Sequence, residues 1–120
     1  MAARTLGPAE FCVAGFGQAS NGQARYLSGA AFDGTAPTEE ELFRRALAAL
    51  ERVHYVGIFE AFRQSVADVA ALAGVAQFDP TDRMNSAERI SPVSPADRER
   101  IAACNRVDAA LHAWALHRVA

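Results

Sequence analysis

The sequence predicts an α/β fold, mostly helical with one short central strand, and three observations carry that prediction. The first is the opening of Val53–Gly74, VHYVGIFEAFRQSVADVAALAG. Val53, Tyr55, Val56, Ile58 and Phe59 form an apolar run rich in β-branched and aromatic residues, which suits a buried strand. The second is a change of period within the stretch. Phe59, Phe62, Val66, Val69, Ala70 and Ala73 recur at three- and four-residue steps, which marks one apolar face of a helix ending at Gly74. The third is the order of elements: a strand feeding a helix, with another helix in front of it, is the repeating unit of an α/β layer. The strand is expected at the centre, covered by helices from the rest of the chain.

In chain order, Met1–Gly7 reads as a lead-in, and Pro8 opens a short helix in which Phe11 is an apolar contact and Gly15 and Gly17 close the end. Asn21–Gly29, NGQARYLSG, follows, then an irregular Ala/Gly/Pro linker up to Pro37. Thr38 and Glu41 form a capping-box pair, and Glu39 and Glu40 suit the positive end of the helix dipole. Leu42, Phe43, Ala46, Leu47, Leu50 and Val53 give that helix an inward stripe, expected to pack across the strand. After Gly74 the stretch VAQFDPTDRMNSAERISPV has little periodicity and reads as an ordered loop or short extended segment. Ser94 then caps a second long helix, with Pro95 in its first turn. Its apolar face, Ile101, Cys104, Val107, Leu111, Trp114 and Ala115, runs nearly to the end of the sequence.

Composition bounds the function classes. A chain of 120 residues, half of them apolar, supports one core, so residues 1–120 read as one domain or part of one. A net charge of −2 with interspersed signs argues against a broad nucleic-acid-binding face and leaves room for a local basic pocket. All twelve cationic side chains are arginine, with no lysine. Cys12 and Cys104 match no metal spacing and read as buried or free thiols, with a disulfide as the alternative. No apolar run approaches the ~20 residues of a membrane span, and a reducing, cytoplasmic location is the default expectation.

Several side chains invite a chemical reading. Asp108 falls at helical spacing from Ile101, Cys104, Leu111 and Ala115, so it faces the core or its border and needs a partner. It either pins a loop to the helix or serves as a catalytic acid. His112 lies one turn on, and arginines from the preceding loop are also within reach. Glu60, at the end of the expected strand, either caps the following helix or lies in the ligand crevice that α/β folds place there. In the loop Asp79–Arg89, Arg83 and Arg89 offer forked donors suited to phosphate or sulfate, with Asn85 and Ser86 between them. A solvated loop is the alternative. Arg25 is a further candidate anion contact or a structural residue at a helix end. His54, His112 and His117 have no metal-ligand spacing and read as surface or border residues.

Taken together, NGQARYLSG, the capped helix, HYVGIFEAFRQSVADVAALAG, DRMNSAER and SPADRERIAACNRVDAALHAWAL resemble, in order and spacing over about residues 8–118, the C-terminal part of carbohydrate sulfotransferases of the heparan and uronyl type. The matching positions are Asn21, Gln23, Arg25, Leu27 and Gly29; Val56, Gly57, Glu60 and Phe62; Arg83 and Asn85; and Asn105, Asp108 and Leu111. The resemblance implies a partial P-loop-like three-layer α/β fold. It also implies transfer of a sulfuryl group from 3′-phosphoadenosine 5′-phosphosulfate to a hydroxyl of a carbohydrate or other small alcohol. In-line displacement with cationic stabilisation of the sulfuryl and phosphate oxygens is the corresponding mechanism. By the same resemblance Arg25 faces the acceptor, and Arg83, Asn85, Ser86 and Arg89 lie in the loop over the nucleotide or acceptor.

Departures from the family pattern are as informative. The lysine-bearing PKTGGT-like loop that cradles the phosphosulfate, the usual contacts to the 3′-phosphate and the usual catalytic base have no counterpart here, so no catalytic residue is assigned. The chain is therefore expected to be the C-terminal half of a sulfotransferase domain and inactive alone. A separate N-terminal half or a second copy is then expected to cover the strand edge around Val53–Phe59. A helical interaction or regulatory module derived from that fold is the alternative. A third reading, a small helical protein with a superficial likeness, requires Val53–Phe59 to be helical.

Overall fold

The computed structural model describes residues 6–14, 19–75 and 92–119. Seven α-helices are found among them: α1 (Pro8–Val13), α2 (Gly22–Ser28), α3 (Ala30–Asp33), α4 (Glu39–Arg52), α5 (Phe62–Ala73), α6 (Pro95–Cys104) and α7 (Arg106–Val119), with a 3-10 turn at Phe59–Ala61. No strand occurs among the described residues, so the fold is all-helical and the expected α/β class, with its P-loop-like layers, is corrected. Val53–Ile58 is not helical either. It bends at Val53–His54 and has extended dihedrals at its two ends, φ −82° and ψ 151° at Val53 and φ −125° and ψ 149° at Ile58. A strand needs a neighbouring ladder, and here the Ser65 hydroxyl, 3.3 Å from both the amide and the carbonyl of Ile58, takes the place of one. The β-rich composition of the run predicts a strand, but pairing depends on a partner that composition does not supply.

The core also lies elsewhere than expected. Ala24, Ala30, Leu42, Ala46, Val107 and Leu111 form its centre, with Leu27, Phe43, Leu47 and Leu50 packed around them. α4 therefore packs on α2 and α7, not across a strand. Its N-terminus follows the sequence closely, because Thr38 Oγ1 accepts from the Glu41 amide at 3.2 Å. The return bond of the capping box is replaced, since Glu41 pairs with Arg44 and Arg45. α5 keeps its expected end: Gly74, at φ 73°, lets Val75 N–H reach Ala70 O at 2.8 Å and its own N–H reach Ala71 O at 3.2 Å, a Schellman closure. Its apolar face, expected at the centre, is peripheral, with Phe59 84% and Val69 50% exposed.

One long C-terminal helix was expected from Ser94 onward, and the structure divides it. Ser94 Oγ accepts from the Asp97 amide at 3.1 Å, as a cap should. The helix then breaks at Asn105, φ −129° and ψ 31°, and restarts as α7. α1 packs on α6, with Arg100 3.4 Å from Glu10. α3 (Ala30–Asp33) occupies the stretch expected to be an irregular linker. No helix among the described residues is long and apolar enough to cross a membrane.

Candidate functional site

Among the described residues, the most connected polar group joins the start of α2 to the α6–α7 break. Asn21 has φ 51° and ψ 40°, a left-handed conformation that asparagine tolerates better than most residues. Its amide donates to Asn105 Oδ1 at 2.8 Å. Its side-chain Oδ1 accepts from the amides of Val107 at 3.0 Å and Asp108 at 3.2 Å. Asp108 returns the arrangement: Oδ1 accepts from the Ala24 amide at 2.8 Å and Oδ2 from the Gln23 amide at 3.2 Å. Each helix thus has its first amides capped by a side chain from the other, across 84 residues of sequence. Asn105 Nδ2 completes the junction with bonds to Ala19 O at 3.2 Å and Ile101 O at 2.9 Å. Ser20 Oγ adds one to Cys104 O at 2.9 Å.

The break at Asn105 follows from this exchange. An asparagine that serves as acceptor for one strand of chain and donor for two carbonyls is held out of helical register, and α7 must begin anew with capped amides. Asp108, open in the sequence between a pin and a catalytic acid, has both oxygens occupied by backbone amides and acts as the pin. Its charge also complements the positive end of α2. Among the described residues neither His112 nor an arginine is its partner. Asn21, Gln23, Asn105 and Asp108 were all singled out by motif, but their reciprocal capping was not. The readable signal was an asparagine before a glycine at 21–22 and an asparagine three residues ahead of an aspartate at 105–108, both typical of helix starts.

Two cavities flank the junction. One of about 630 Å³ is lined by Gln23, Val93, Arg98, Ile101, Asn105, Asp108 and His112 among others. The other, about 580 Å³, is lined by Gly22, Gln23, Tyr26, Leu27 and Asp108. Arg25 is half-buried in the last turn of α2 and lines neither of them, and no described residue bonds its guanidinium. Arg83, Asn85, Ser86 and Arg89, the remaining predicted site residues, lie outside the described residues. The structure therefore places Arg25 near the junction, the one predicted site residue it describes.

Glu60 does not cap the following helix, and the strand whose end was expected to form a ligand crevice does not occur among the described residues. Both Glu60 carboxylate oxygens lie 3.0 Å from His112 Nε2 on α7, and that hydrogen bond holds the carboxyl below its ordinary range. Because the folded value is depressed, this contribution to stability is present above the unfolded value and is lost as pH falls through the folded one. His54, His112 and His117 are exposed, as expected. Cys12 and Cys104 are free thiols, and burial, then the neighbouring Cys104, pushes the Cys12 thiol up. Among the described residues no group of three or more His, Cys, Asp or Glu side chains could hold a metal ion.

A third feature is apolar. Tyr55, Ile58, Phe59, Phe62, Val66 and Val69 help line an open groove of about 620 Å³ between the extended segment and α5. Compared with known proteins, the chain matches no family model, no curated protein and no solved structure, so its function is argued from its own residues.

Proposed function

We propose that this chain is the C-terminal, helical portion of a sulfotransferase that uses 3′-phosphoadenosine 5′-phosphosulfate, and that alone it transfers no sulfate. The observation that carries the reading is the junction itself. Asn21 and Gln23 belong to one motif of the resemblance and Asn105 and Asp108 to another, and these residues meet as reciprocal helix caps. Motifs that interlock across 84 residues describe a folded unit, which is more than an accidental string of letters. The α/β layers expected with that family are no part of the proposal. The unit has no lysine, and its described helices present no glycine-rich cradle for a phosphosulfate.

Arg25 is the residue proposed to face the carbohydrate or other small-alcohol acceptor and its anionic neighbours, since no described carboxylate neutralises it. Calorimetric titration at low salt tests this. A uronic-acid oligosaccharide should bind saturably, with affinity about tenfold weaker in Arg25→Ala, the scale of a lost charge-assisted hydrogen bond. The spent nucleotide, 3′-phosphoadenosine 5′-phosphate, should give no binding heat, and incubation with the phosphosulfate should yield no sulfated product. An oligosaccharide that does not bind, or binds Arg25→Ala equally well, would overturn the acceptor role. Sulfate transfer by the purified chain would overturn the claim that it is incomplete.

A second reading is a non-catalytic helical interaction module, favoured by the open apolar groove on α5. It predicts that Val69→Glu abolishes partner association while oligosaccharide binding is unchanged.

A further inference from the structure

The arm from Val53 to Val75 bonds mainly to itself. Tyr55 Oη donates to Asp68 at 2.7 Å, Gln64 Nε2 donates to the same carboxylate at 2.7 Å, and Ser65 bridges Ile58. α5 packs on its own 3-10 turn, and its apolar face is open. Among the described residues the one polar tie from this arm to the helical core is Glu60 on His112, with both oxygens 3.0 Å from Nε2. α5 has 12 residues, a length at which an isolated helix is marginal in water. Its persistence therefore depends on how firmly the arm is held.

We propose that Glu60 and His112 form a protonation-dependent latch that holds the Val53–Val75 arm against α7. The latch is tightest while His112 is protonated and Glu60 is ionised. It loosens on either side of that window: raising the pH leaves a neutral imidazole facing a carboxylate, and lowering it far enough neutralises the carboxylate. Imidazole is the side chain whose charge ordinarily changes between about pH 5 and 8, which sets the interval worth testing. The depressed Glu60 carboxyl places the lower edge below the usual carboxylate range. Among the described residues, Asp108, one turn earlier on α7, and Arg98 from α6 line a cavity with His112. Asp108 is already engaged by the Gln23 and Ala24 amides and Arg98 is a cation, which leaves Glu60 as the carboxylate that pairs with His112.

The pair is about half exposed, 47% at His112 and 54% at Glu60, so the effect is modest and graded. Hydrogen exchange on the full chain reads it, as protection of α5 amides corrected for intrinsic rates, with α4 amides as an internal reference for folding. Between about pH 5.5 and about pH 8, α5 protection should fall roughly two- to fivefold relative to α4, the range of an exposed ion pair. His112→Arg keeps the positive charge and should hold α5 protection level across that interval. Glu60→Gln should flatten the profile at the lower value. Protection of α5 that does not change with pH in the parent chain, or that changes to the same extent in Glu60→Gln, would overturn the latch.

Discussion

Asp108→Ala is expected to destabilise the protein by about 2–3 kcal/mol and to melt α2 first. The carboxylate accepts from two backbone amides, Ala24 at 2.8 Å and Gln23 at 3.2 Å. α2 has 7 residues and none of its own preceding side chains caps it. Loss of an N-cap alone costs about 1 kcal/mol. Here the acceptor is charged and half-buried, and its removal strands two amides at a packed junction, which raises the figure. Asp108→Asn retains one carbonyl acceptor and should cost roughly half as much. Urea unfolding followed by circular dichroism would measure both. A change below about 0.5 kcal/mol in Asp108→Ala, the range of an ordinary surface substitution, would mean that the junction does not hold α2.

Leu111→Ala is expected to cost about 3 kcal/mol, within the range of about 2–5 for truncating a buried leucine. Leu111 is 4% exposed in a core otherwise rich in alanine, so few neighbours are long enough to collapse into the space left behind. Val69→Ala, on the open apolar face of α5 at 50% exposure, should stay within about 0.5 kcal/mol. This pair decides where the core is. The apolar periodicity of Val53–Gly74 placed it around α5, and that arrangement predicts a loss at Val69 as well. Equal losses at both positions, or a larger one at Val69, would show that the α5 face is covered in solution.

Local chemistry was legible in the sequence because its determinants are local. Thr38 and Ser94 are side chains whose acceptors fall within three residues of their donors, so both caps stand where the sequence puts them. Pro8 opens α1 and Gly74 closes α5 for reasons of backbone geometry that no distant contact alters. The stripe of α4 is buried at Leu42 and Ala46 and partly buried at Phe43, Leu47 and Leu50, as its period requires.

Tertiary structure decided what depends on a distant partner. An extended run becomes a strand only beside another, and Val53–Ile58 has the Ser65 hydroxyl instead. α2 carries no local side-chain cap, because its cap stands 84 residues away on α7. The expected long C-terminal helix is broken at Asn105 because that side chain is committed to Asn21, Ala19 and Ile101. Glu60 was read against the amides next to it, and its partner is His112, 52 residues on. The sequence by itself determined the local caps at Thr38 and Ser94, the end of α5 at Gly74 and the residues worth attention. Which of those residues meet was set by packing, because a hydrogen bond between remote segments leaves no period or spacing in the chain that makes it.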